Sequence, residues 1–118
     1  MLSMAVARLW PAVFSNAVDP GWVPTWMGGK SAPDNLQKGY ETQVWLAVSE
    51  DEKAKVSGKY FYHQKERPAN PIATDVDLQD KFLELLSDLT GFLLLSNRLL
   101  FFSCCQVFTL ISIRIYLN

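Results

Sequence analysis

The residues best suited to chemistry lie in one stretch, Asn16-Ala17-Val18-Asp19-Pro20-Gly21-Trp22-Val23-Pro24-Thr25. A buried strand stops abruptly at Pro20-Gly21, and a hydroxyl follows at Thr25. Ligands of open α/β sheets sit beyond the carboxyl ends of the strands, so residues just past such an end are binding candidates. Gly21 has no Cβ, and its backbone can approach a flat ring closely. Pro20 stiffens the exit from the strand and donates no hydrogen bond. Val23 offers backbone groups, and Thr25 a hydroxyl, to a polar ring substituent.

Other chemistry-bearing residues are sparse. His63 is the only histidine and reads as a solvated strand-end residue with no metal cluster around it. Cys104 and Cys105 are adjacent, which gives neither a disulfide framework nor zinc spacing and fits a reducing compartment, here the cytoplasm. Glu50, Asp51 and Glu52 form a charge run of the kind found in solvated turns. Asp75, Asp77 and Asp80 suit the first turns of a helix, where they favour the macrodipole. No metal ligand set and no catalytic residue emerge from this inventory. The formal net charge of −1 gives no electrostatic case for a nucleic-acid partner.

The elements that must position the Pro-Gly stretch follow from pattern. Ser3 to Trp10 predicts a helix that stops before Pro11. Arg8 and Pro11 also interrupt the mildly apolar N-terminus, against a secretory signal. Val13 to Val18 predicts a strand. Gly21 to Asn35 is rich in breakers and predicts a loop. Asp34 or Asn35 caps a helix running to about Ser49, with Leu36, Gly39, Tyr40, Val44 and Ala47 as its inward face, widened by Trp45 and Val48. Val56 to Tyr62 alternates and predicts a strand with Val56 and Tyr60 facing in. Arg67 to Pro71 is a Pro-rich loop. Asp75 to Leu89 predicts an amphipathic helix with Leu78, Phe82, Leu85, Leu86 and Leu89 as its stripe, Thr74 or Asp75 as cap and Gly91 as stop. This order predicts an α/β unit whose two strands are parallel and joined by a right-handed crossover. Two strands make a poor sheet, which suggests further N-terminal material.

The pattern Asn16-x-Val18-x-Pro20-Gly21-x-Val23-x-Thr25 resembles the cofactor-facing strand end of the short-chain dehydrogenase/reductase family. Met4-Ala5-Val6-Ala7-Arg8-Leu9-Trp10-Pro11 is similar to the end of that family's long active-site helix. Ser57-Gly58-Lys59-Tyr60-Phe61 is similar to its last core strand. The resemblance covers about residues 4 to 91. It implies a partial Rossmann-like unit, the C-terminal part of a doubly wound parallel sheet. It implies NAD or NADP as cofactor, with Pro20, Gly21, Val23 and Thr25 at the nicotinamide and its carboxamide. It also implies a small-molecule substrate covered by the segment Trp26 to Pro33, with Trp22, Trp26 and Met27 as substrate-loop residues. The family's Gly-rich phosphate loop has no counterpart among the six glycines. Its catalytic Tyr-x-x-x-Lys pair, in which Lys lowers the phenol pKa, is also missing. Tyr40, Tyr60 and Tyr62 are followed four residues later by Val44, Gln64 and Glu66, and Tyr116 has no partner. The resemblance therefore implies a C-terminal part of an oxidoreductase that is inactive by itself.

Composition breaks near Gly91. All 12 acidic residues lie between Asp19 and Asp88, while 18 of the 26 residues from Phe92 to Leu117 are apolar. The domain division is 1–91 for the oxidoreductase-like part and 92–118 for the tail. The tail predicts an apolar C-terminal helix, read as a membrane anchor, a non-native extension or a partner-binding surface. A membrane span needs about 20 apolar residues and would have to include Arg98. An exposed segment this apolar predicts self-association. The rival to an oxidoreductase part is a small non-catalytic membrane-associated or interaction protein in which the tail is the functional element.

Overall fold

A computed structural model describes residues 1–91 and 111–115. Helix α1 spans Leu2–Leu9, strand β1 Val13–Asp19, helix α2 Leu36–Val48, strands β2 Tyr60–Tyr62 and β3 Lys65–Arg67, helices α3 Pro71–Thr74 and α4 Val76–Thr90, and strand β4 Ile111–Ile115. The strands form one sheet in the order β3-β2-β1-β4. β1 and β2 run parallel with Val18 opposite Phe61, and α2 makes the crossover that a parallel pair requires. The α/β class and the partial Rossmann-like unit are therefore present.

β1 lies inside the sheet, and Val13, Ser15, Asn16 and Val18 are buried along it. Such near-continuous burial is expected of a strand covered on both faces. Val18, Leu46, Ala54 and Phe61 form the core, with Trp45 edge-on to Phe61 at a centroid distance of 5.7 Å. On the chain's other helical pair, Arg8 of α1 donates from Nε to Gln79 of α4 at 3.1 Å and pairs with Asp80.

The helix ends follow their local chemistry. Asn35 caps α2 by accepting from the Gln37 amide at 2.8 Å, and Asp75 caps α4 by accepting from the Leu78 amide at 3.1 Å. Gly91 ends α4 in the left-handed conformation, φ 71°.

Both helices bury only part of the face that hydropathy predicts: Gly39 and Trp45 of α2 and Phe82 and Leu86 of α4 turn inward or half-inward as expected, and the rest of each stripe does not. On α2 the buried residues are Gly39, Thr42 and Leu46, while Leu36, Tyr40, Val44, Ala47 and Val48 are exposed. The cause is the Pro-Gly loop. A Cβ on Gly39 would lie 2.9 Å from Val23 Cγ1 and 3.3 Å from the Pro20 carbonyl oxygen, so only glycine allows this approach. On α4 the buried residues are Gln79 and Leu83, while Leu78, Leu85 and Leu89 are exposed. Gln79 is held there by donating to the Ala73 carbonyl at 2.9 Å and accepting from Arg8.

The second strand is shorter than its alternation predicts. Regular pairing begins only at Tyr60, and Phe61 rather than Tyr60 is buried. Residues 56–59 are joined to β1 by backbone and side chains together: the Gly58 amide donates to the Ser15 carbonyl and the Ala17 amide to the Lys59 carbonyl, both at 2.8 Å. Asn16 Nδ2 donates to the Val56 carbonyl at 2.7 Å, the Lys59 amide donates to Asn16 Oδ1 at 3.0 Å, and the Ser57 hydroxyl donates to the Val13 carbonyl at 3.1 Å.

Two elements, β3 and α3, are not expected from the pattern, which gives Arg67 to Pro71 as a loop. β2 and β3 form a hairpin whose two turn residues, His63 and Gln64, both have positive φ, 48° and 60°. This is the geometry of a turn whose twist matches the strands. The Gln64 amide donates to the Thr42 hydroxyl at 3.0 Å, which ties the turn to α2. His63 is half-buried and stacked on Tyr62 at 3.8 Å rather than solvated.

Of the tail, residues 92–110 and 116–118 lie outside the described residues, and with them most of the expected apolar helix. Ile111–Ile115 is a strand, antiparallel to β1 with Ile113 opposite Ser15. Alternating β-branched Ile111, Ile113 and Ile115 with Ser112 and Arg114 suit a strand, and β1 offers them a hydrogen-bonding edge. No helix among the described residues is long and apolar enough to cross a membrane.

Candidate functional site at the carboxyl end of the first strand

The Pro20-Gly21 turn sits where β1 ends, beside the end of its parallel neighbour β2. It is built around two carboxylates. Asp19 Oδ1 accepts from the Gly21 amide at 2.9 Å, the hydrogen bond that aspartate commonly offers a turn two residues on. Asp19 Oδ2 accepts from the Tyr60 hydroxyl of β2 at 3.1 Å. Asp34 grips the next residue from the far end of the loop. Its Oδ2 accepts from the Trp22 amide at 2.6 Å, and its own amide donates to the Trp22 carbonyl at 3.0 Å. Gly21 has φ 77°, a conformation that residues with a Cβ rarely adopt.

Beyond Trp22 the chain folds back on itself. The Thr25 amide donates to the Val23 carbonyl at 2.8 Å, and the Gly28 amide donates to the Thr25 hydroxyl oxygen at 3.1 Å. The Trp22 indole N–H donates to the Gly28 carbonyl at 2.8 Å and closes the turn. A Cβ on Gly28 would lie 2.0 Å from the Val23 carbonyl oxygen, so glycine is required there for space alone.

The structure brings Pro20, Gly21 and Val23 together at the strand end, half-buried against α2. Thr25 is exposed, with its hydroxyl oxygen engaged and its own proton free to be donated. The Val23 N–H takes part in none of the turn's internal hydrogen bonds. Trp22 is partly exposed, whereas Trp26 and Met27 stand at the outer tip, 104 % and 96 % exposed. Two open clefts lie elsewhere. One, of about 330 Å³, is bordered by Arg8, Ser57 and Gln79, and the other, of about 410 Å³, by Trp45, Phe61 and Gln64. None of the expected site residues lines either cleft.

Pattern reading missed Asp19, Asp34 and Tyr60. An aspartate directly before Pro-Gly is itself a turn signal, so Asp19 was accessible from sequence. Asp34 and Tyr60 are 12 and 41 residues from the groups they hold. Burial, the hydrogen bond to Asp19 and the Asp19 charge all hold the Tyr60 phenol above its ordinary pKa, and Arg67 partly opposes them. Arg67 stacks over the Tyr62 ring at 3.8 Å, on the same hairpin.

Comparison with known proteins gives relatives that point one way. The chain is 38 % identical over 93 residues to a short-chain dehydrogenase of Gibberella zeae. It is 34 % identical to a short-chain dehydrogenase of Penicillium rubens and 31 % identical to an uncharacterized oxidoreductase of Emericella nidulans. Each match takes in 77 % of this chain, and the chain spans only about 35 % of the length of these curated relatives. No family model matches the chain, and no solved structure does.

Proposed function

We propose that residues 1–91 are the C-terminal part of an NAD(P)-dependent oxidoreductase of the short-chain dehydrogenase/reductase type, followed by a tail, 92–118, of which Ile111–Ile115 joins the sheet through β1. The observation that carries this reading is the Pro-Gly turn at the carboxyl end of a parallel strand pair, in a chain whose relatives are named short-chain dehydrogenases. Pro20, Gly21, Val23 and Thr25 hold the nicotinamide end of NAD or NADP. The groups fit that ligand. The Val23 N–H and the Thr25 hydroxyl proton are donors suited to a carboxamide oxygen, and Gly21 presents bare backbone to a ring. When bound, the dinucleotide supplies hydride transfer to or from a small-molecule substrate. This chain's part is to bind and orient. No residue in it is assigned proton transfer, because the Tyr-x-x-x-Lys pair is absent from the sequence. Trp22, Trp26 and Met27 form the substrate loop, and the cytoplasm is the compartment.

Titration of the 118-residue chain with NADH and with NADPH, followed by nicotinamide fluorescence, tests this reading. Saturable binding that is lost on Thr25→Ala and Val23→Pro supports it. Absence of binding by either nucleotide at millimolar concentration overturns the assignment of these four residues.

A second reading is a small non-catalytic membrane-associated or interaction protein, and one observation, on α2 rather than on the tail, favours its interaction form. Leu36, Tyr40, Val44 and Val48 form an exposed apolar row along α2. Sedimentation of the intact chain across a concentration range, with and without lipid vesicles, tests it. A monomer that ignores vesicles removes this reading.

A further inference from the structure

Asp19 is placed to do more than end a strand. Its two carboxylate oxygens have two different clients. Oδ1 takes the Gly21 amide at 2.9 Å and so fixes the orientation of the Pro20-Gly21 peptide. Oδ2 takes the Tyr60 hydroxyl at 3.1 Å and so fixes the carboxylate itself to the neighbouring strand. Tyr60 is in turn fixed by the parallel ladder, where it lies opposite Ala17. The chain of contacts runs from β2 through Tyr60 and Asp19 to the one peptide of the turn with a positive-φ residue. A turn anchored only by its own backbone would be free to flip that peptide. Here the flip costs a charge-assisted hydrogen bond.

We propose that Asp19 and Tyr60 are positioning residues, which hold the Pro20-Gly21 peptide in the one orientation that receives a nicotinamide dinucleotide. The proposal rests on the reading of this turn as the nicotinamide-facing segment. Asp19 itself touches no ligand. It acts through Gly21, and Tyr60 acts through Asp19.

The test uses the full chain labelled with ¹⁵N and titrated with NADH. The wild-type chain is compared with Asp19→Ala, Asp19→Asn and Tyr60→Phe. In the wild type, NADH shifts the amide resonances of Gly21 and Val23. Asp19→Ala moves the Gly21 amide in the free chain and weakens NADH binding about tenfold, the scale of one lost charge-assisted hydrogen bond. Asp19→Asn keeps an oxygen acceptor for the Gly21 amide and restores binding to within about threefold of wild type. A role confined to stability would lower the unfolding midpoint of all three variants without this rescue. Should Asp19→Ala not fold, Tyr60→Phe carries the test. It weakens binding several-fold, and unchanged affinity overturns the proposal. Equal NADH affinity in Asp19→Ala and wild type also overturns it while leaving the turn's assignment standing. Wild-type amides of residues 20–25 that ignore NADH overturn the assignment, and the proposal with it.

Discussion

A Cβ built on Gly21 would lie 2.6 Å from Asp34 Oδ2, the same oxygen that accepts the Trp22 amide. The start and the end of the long loop after β1 therefore meet at a point with no room for a methyl group. Gly21→Ala should destabilise the chain by about 1–3 kcal/mol, from the left-handed backbone and from loss of the Asp34 grip. Urea unfolding measures the cost. Placing Gly21→Ala in an Asp34→Ala background should cost less than the two single changes added together, because the collision is then gone.

Gly39 makes the opposite prediction to the one helix propensity makes. Alanine normally gains up to about 1 kcal/mol over glycine inside a helix. Here its methyl group would sit 2.9 Å from Val23 Cγ1. Gly39→Ala should be destabilising alone and less so in a Val23→Ala background, where only the Pro20 carbonyl at 3.3 Å still crowds the new methyl group. Thermal unfolding of the two single variants and the double variant reads this directly, and a stabilised Gly39→Ala single variant contradicts it.

Asn16 is 2 % exposed and makes two of the hydrogen bonds that join residues 56–59 to β1. Asn16→Ala leaves the Val56 carbonyl and the Lys59 amide without these partners. The expected loss is about 2–4 kcal/mol, since each orphaned buried group costs about 1–3 kcal/mol. Asn16→Leu, of similar size but without polar atoms, should be no better. Hydrogen exchange at the Lys59 amide should accelerate in both.

Alkaline pH should weaken the fold through Tyr60. Folding favours the protonated phenol, because burial and Asp19 raise its pKa above the ordinary value of about 10. That contribution is complete below pH 10 and disappears as pH rises through the raised value. Tyr60→Phe should flatten the fall in stability between wild type at pH 9 and at pH 11. An unchanged profile in Tyr60→Phe would assign the alkaline loss to other groups.

The exposed end of the Arg8 contact with α4 should matter little. Arg8 pairs with Asp80, whose side chain is 55 % exposed, so Asp80→Asn should cost under about 1 kcal/mol. Gln79 is 3 % exposed and bridges Arg8 to the Ala73 carbonyl. Gln79→Ala should cost about 1–3 kcal/mol. Denaturation midpoints of the two variants distinguish the cases.

The sequence by itself determined where α1, β1, α2 and α4 lie, because caps, breakers and periodicity are local. Asn35, Asp75 and Gly91 mark helix ends whose hydrogen bonds close within three or four residues, and Pro20-Gly21 ends a strand by its own backbone limits. What local pattern misplaced was part of the inward faces of α2 and α4, where Thr42, Leu46, Gln79 and Leu83 are buried in place of most of the expected apolar stripe. Hydropathy counts apolar side chains, whereas the packing was decided by the absence of a side chain at Gly39 and by the bonding capacity of Thr42 and Gln79. The hairpin at His63-Gln64 also escaped, since neither residue favours positive φ strongly enough to announce the turn. The segment Ile111–Ile115 took its strand state from the free edge of β1, which lies about a hundred residues earlier in the chain. Only the tertiary structure could join Tyr60 to Asp19 and Asp34 to Trp22. Those contacts depend on how the crossover returns the chain, and no local preference encodes a distance across 41 residues.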